Sequence, residues 1–157
     1  MQRPFGERGS MEENNLTRRQ ARESAFLAAF SLTFHPDEPQ QALRDCGELP
    51  ELEQDAFTAR LLRDLTAHID DIDGEITAHL KGWSLGRLPR VSLTAMRVAL
   101  AEMLYGDEKK PAVAINEAVE LVKKYGAESD HQFVNGLLGT VARERGLADA
   151  DTEPAPC

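Results

Sequence analysis

PAVAINEAVELVKKYG, residues 111–126, reads as one helix from end to end. Proline stands first, where its missing N–H costs nothing. Lys123 and Lys124 fill the last turn and Gly126 follows, the residues that the negative end of a helix dipole and a chain leaving helical geometry favour. Upstream, VSLTAMRVALAEMLY (residues 91–105) carries another helix that stops at Gly106. Downstream, Ser129-Asp130-His131-Gln132 matches a capping box. Phe133, Val134, Leu137, Leu138 and Val141 follow it at helical spacing as far as Gly146.

The same signals extend towards the N-terminus. Gly82, Gly86 and Pro89 punctuate a short connector. Before it, Leu52, Ala56, Ala59, Leu62, Leu65, Ile69, Ile72, Ile76 and Leu80 recur at three- and four-residue intervals, giving one long helix or two with a break near Asp73-Gly74. Residues 35–50, with three prolines and a glycine, read as a loop. Thr17-Arg18-Arg19-Gln20 forms a capping box that opens a helix with Ala21, Ala25, Ala28, Ala29 and Leu32 on one stripe. No segment alternates with period two, so no sheet is expected. The fold class is all-α: about seven helices in two small packed bundles. Residues 1–16 read as a disordered arm and 147–157 as a disordered tail. Between them lies one helical domain with subdomains of about 17–81 and 82–146.

The chain has 157 residues, 41% hydrophobic and 29% charged, as an ordinary globular protein does. Its 27 acidic and 18 basic residues leave a net charge of −9, which excludes a bulk-cationic nucleic-acid coat but not a local basic patch. Residues 35–80 hold 12 acidic and 3 basic side chains, whereas 81–110 hold 6 basic and 3 acidic. Such polarity suits phosphates on one side and a basic protein on another, or is a solvated face. No apolar run is long enough to span a membrane, and Met1–Ser10 lacks the apolar core of a signal peptide. Two cysteines, Cys46 and Cys157, make no disulfide framework and fit a cytoplasmic location.

The sequence offers no catalytic site. It lacks a glycine-rich phosphate loop and a nucleophile elbow. His35, His68, His79 and His131 are scattered, so neither metal nor cofactor is expected. Two features resist a purely structural reading. Arg18, Arg19 and Arg22 crowd the first turns of a helix, where cations oppose the dipole. Guanidinium groups in that array suit phosphate oxygens, or pair with nearby carboxylates. Gly136 and Gly139 sit within a helix, where each costs about 1 kcal/mol relative to alanine, and imply close approach of another helix or a ligand backbone. Phe133 is either core or a platform for a stacked base. Trp83 has closure between the subdomains as its default role.

Four stretches in order, TRRQARESAFLAAF (17–30), GWSLGRLPRVSLTAMRVALAEML (82–104), AVAINEAVELVKKYG (112–126) and HQFVNGLLGTVARE (131–144), resemble the NusB family of transcription antitermination factors. The resemblance implies an all-helical, non-enzymatic protein. It implies binding of single-stranded boxA-type RNA of ribosomal RNA leaders, together with NusE, a basic protein also found in the small ribosomal subunit. That pair would join the RNA polymerase elongation complex with other Nus factors. Carried over by motif, Arg18, Arg19 and Arg22 would contact RNA, and Gln132, Phe133 and Asn135 would border the same surface. Leu80, Arg87 and Ser92 would lie on the NusE face, and Asn116 and Glu117 would be structural, capping or bridging the subdomains. A homodimer and a role in ribosomal RNA maturation both stay open. The rival reading is a helical adaptor that contacts proteins only.

Overall fold

Thr17 starts the first helix as its sequence requires. Its hydroxyl accepts from the Gln20 amide at 3.0 Å, and the Gln20 side chain accepts from the Thr17 amide at 2.9 Å. Both free donors are thereby satisfied and α1 runs Arg18–Phe30, ending in a 3₁₀ turn, Ser31–Thr33. The structure, a computed structural model, describes residues 17–34, 55–107 and 110–147. The expected arm (1–16), the loop (35–50) and residues 148–157 of the tail lie outside the described residues.

Asp55, itself buried, caps α2 (Ala56–Ala67) by accepting from both the amide and the hydroxyl of Thr58. The expected break at Asp73-Gly74 falls instead at His68, whose φ of −119° and ψ of 26° leave helical geometry. The bend turns α3 (Ile69–Ala78) so that Ile72 and Ile76 bury completely, while Gly74 stays inside the helix and exposed. A 3₁₀ turn, Leu85–Arg87, then leads into α4 (Arg90–Tyr105). α4 ends at Gly106, which leaves helical geometry at a point where a Cβ would lie 2.6 Å from the carbonyl oxygen of Glu102, so glycine is needed there. α5 spans Pro111–Tyr125 and α6 spans Asp130–Glu144. These are six α-helices and two 3₁₀ turns, with no strand among the described residues.

α4 is the axis of the fold. Every residue from Ser92 to Met103 is buried, the pattern of a helix enclosed on all sides. It packs against α1, α2 and α3 on the N-terminal side and against α5 and α6 on the C-terminal side, so one apolar core joins the two groups. Phe26, Leu62, Leu65, Met96, Leu100 and Leu138 are among its largest members, each stabilising the fold by about 1.5–3 kcal/mol on burial. The two charged side chains inside α4 are met from neighbouring helices. Arg97 donates two hydrogen bonds, of 2.9 and 2.8 Å, to Asp73 of α3. Glu102 accepts two, of 2.8 and 2.7 Å, from Arg22 of α1.

Candidate nucleic-acid interface

The arginines of α1 differ in what holds them. Arg18 is exposed, and its guanidinium lies 4.2 Å from the centre of the Phe57 ring. Arg19 is also exposed and reaches α5, donating from Nε and Nη2 to Glu117 at 3.0 and 3.2 Å. That contact raises the Arg19 pKa further, so its charge is permanent. The side chain of Arg22 is only 9% exposed and that of Glu102 only 6%. The expectation that Arg22 meets RNA therefore needs correction. Its donors are turned into the protein, where they neutralise a buried carboxylate.

One turn further along, Glu23 accepts from Lys124 at 2.7 Å and from the Tyr125 hydroxyl. The Lys124 ammonium, then the phenol, hold the Glu23 carboxyl below its ordinary value, and the same contacts raise Lys124 and Tyr125. Tyr125 also stacks on Phe26 with ring centres 5.4 Å apart. The pairs 19–117 and 23–124 show α1 and α5 running side by side in one direction. Glu117 thus bridges the N- and C-terminal parts of the fold, as expected of a structural residue.

Five residues after Tyr125, α6 begins. Ser129 does not cap it. With φ −74° and ψ −11° the serine is already helical, its hydroxyl misses the amides of the first turn, and the expected second capping box is absent. Val134, Leu137, Leu138 and Val141 are core. Phe133 is 42% exposed and Gln132 is exposed beside it, while Asn135 is half-buried. Among the described residues no neighbouring helix approaches the glycines. A Cβ on Gly136 would meet nothing within 4 Å, and one on Gly139 only the Arg143 guanidinium. α5 contacts both α1 and α6, and Lys124 and Tyr125 at its end meet Glu23 and Phe26 of α1.

The residues expected on the partner face separate. Leu80 and Ser92 are 3% and 1% exposed, because Leu80 packs into the core and Ser92 lies on the enclosed face of α4. Neither presents itself to a partner. Arg87 is exposed, 5.5 Å from the Trp83 ring centre, and Trp83 is 58% exposed instead of closing the subdomains. Among the described residues no group of three or more potential metal ligands occurs, and no helix is long and apolar enough to cross a membrane.

The NusB family model matches residues 19–143. The transcription antitermination protein NusB of Heliobacterium modesticaldum is 38% identical over 147 residues, covering 90% of this chain and 71% of that protein. A crystal form of T. maritima NusB superposes with a TM-score of 0.72 at 32% identity, covering 83% of this chain and 93% of that one. A chain in a crystal structure of antitermination factors NusB and NusE in complex with dsRNA gives a TM-score of 0.70 at 29% identity, covering 81% and 96%.

Proposed function

This chain belongs to the NusB family, and on that premise we propose that it binds RNA together with a NusE-type protein and acts through that complex on elongating RNA polymerase. The observation that carries the reading is the likeness over most of its length to a chain crystallised with NusE and dsRNA. The exposed side chains support it. Arg18 and Arg19 offer guanidinium donors to phosphates, Lys124 adds a cation, and Phe133 with Gln132 offers a ring and an amide to a base.

Arg22 and Glu117 serve this surface from behind. Glu117 takes the Nε–Nη2 edge of Arg19, whose exposed guanidinium keeps further donors for a phosphate oxygen. Few cations and a net charge of −9 make the chain alone a weak RNA binder with a shallow salt dependence. A basic partner supplies the missing charge. Such a partner suits the acidic side, where Asp70 and Asp71 are exposed at the start of α3, rather than the basic connector that holds Arg87.

The test is fluorescence anisotropy of labelled boxA-type RNA, single-stranded and as a duplex, at two salt concentrations. The titrants are this chain, NusE, and both together. Tight binding by the pair and weak binding by either protein supports the reading. Association of the two proteins with no RNA signal replaces it with a protein-only adaptor.

A further inference from the structure

The connector between α3 and α4 is a built feature. Lys81 and Gly82 both take left-handed backbone angles, φ 36° and 90°, turning the chain sharply at the end of α3. The Trp83 amide donates to the Leu80 carbonyl at 2.9 Å, and the Arg87 amide to that of Ser84 at 3.0 Å. Leu80 is buried, and Leu85 and Leu88 pack against the core. These anchors leave Trp83, Ser84 and Arg87 outside. A left-handed lysine is costly for an L-residue, so the turn is imposed by what surrounds it.

Its cations, Lys81, Arg87 and Arg90, are free of carboxylate partners among the described residues, as are Arg18, Arg63, Lys110 and Arg143, although acidic residues outnumber basic ones in the chain. Arg19, Arg22, Arg60, Arg97, Lys124 and Arg145 each face a carboxylate. Arg87 and Arg90 lie instead over the rings of Trp83 and Phe34, at 5.5 and 4.4 Å. Gly82, Trp83, Ser84 and Arg87 line an open recess of about 340 Å³.

We propose that this recess is a second nucleic-acid contact, in which a base of single-stranded RNA stacks on Trp83 while Arg87, Lys81 and Arg90 meet the flanking phosphates. The inference rests on the RNA-binding reading above and extends it to a surface that reading leaves unused. A nucleic acid fits better than a protein segment. The leucines of the connector point inward, so the indole lacks the apolar surround of a protein hot spot, whereas an exposed ring among cations is what stacking on single strands uses.

Trp83 is the only tryptophan in the chain, so its emission reports on the recess directly. The chain is titrated with an oligouridylate of about 12 nucleotides, within the range of single-strand site sizes. Intrinsic fluorescence and label anisotropy are recorded together. Quenching and anisotropy should share one midpoint and saturate together. Trp83→Leu should weaken binding about 5-fold or more, and Arg87→Gln should flatten the salt slope by about 0.7. RNA binding with unchanged Trp83 emission and full Trp83→Leu affinity overturns this site and leaves the α1 and α6 surface standing. Quenching by a glutamate-rich peptide but not by RNA overturns it in favour of a protein segment. No RNA binding, with or without NusE, removes both readings.

Discussion

Substituting either member of the Arg22–Glu102 pair separates an architectural role from an RNA-contacting one. The two side chains are 9% and 6% exposed and share two charge-assisted hydrogen bonds, of 2.8 and 2.7 Å, across α1 and α4. Arg22→Met alone strands the Glu102 carboxylate in that space, at about 3–5 kcal/mol, and Glu102→Leu alone removes both charge-assisted bonds from the Arg22 fork. For a domain of this size each kcal/mol moves Tm by about 2–4 °C, so the expected fall is about 6–20 °C. The double variant removes both charges and fills similar volume, and should return close to wild type. Arg22→Lys keeps the charge but loses the fork, and should show a smaller loss. Thermal and urea denaturation of all four proteins give the cycle, and RNA anisotropy is measured on the folded ones. Single variants as stable as wild type, with RNA affinity lost on Arg22→Met alone, would refute the reasoning.

Three further outcomes follow from local geometry. The Ser92 hydroxyl is buried and has no hydrogen-bond partner, so Ser92→Ala should gain about 1 kcal/mol in urea denaturation without changing affinity for NusE. Gly136 is inside a helix with open space around it, so Gly136→Ala should raise stability by about 1 kcal/mol, read as Tm. His79 Nδ1 and Nε2 lie 2.9 Å from the Glu75 carbonyl and the Glu144 carboxylate, two acceptors to which the protonated ring donates from both nitrogens, and these contacts raise its pKa above the ordinary 6.5. Because the folded form binds the proton more tightly, the stability that His79 contributes is complete below pH 6.5 and fades as pH rises through the raised value. The Tm gap between wild type and His79→Asn should therefore be wider at pH 5.5 than at pH 8.5, and an equal gap contradicts the assignment.

What the sequence disclosed depended on how far apart the partners lie. The Thr17–Gln20 cap is closed within four residues, and it was readable because nothing distant could alter it. The helix of α4 was readable but its enclosure was not, because Arg97 and Glu102 interrupt the apolar and small residues and are buried only through partners on α3 and α1. The failed cap at Ser129 has the right letters but a helical backbone, which a residue pattern does not encode. The break at His68 was misplaced because glycine marks freedom to bend, whereas the bend occurs where Ile72 and Ile76 gain burial against α4. Arg22 looked like its neighbours because local charge does not reveal a carboxylate 80 residues away. Leu80 and Ser92 were assigned by motif, and only packing shows that they face inward. Phe133 sat at the edge of its apolar stripe, and its exposure agrees with that position.

Photocrosslinking tests the central claim most directly. RNA of boxA type substituted with 4-thiouridine is bound to the complex of this chain with NusE, irradiated, digested and sequenced by mass spectrometry. The account predicts crosslinks in peptides containing Phe133 and the first turn of α1 around Arg18, with further crosslinks at Trp83. Crosslinks confined to other surfaces, while the complex still binds the RNA, would contradict it.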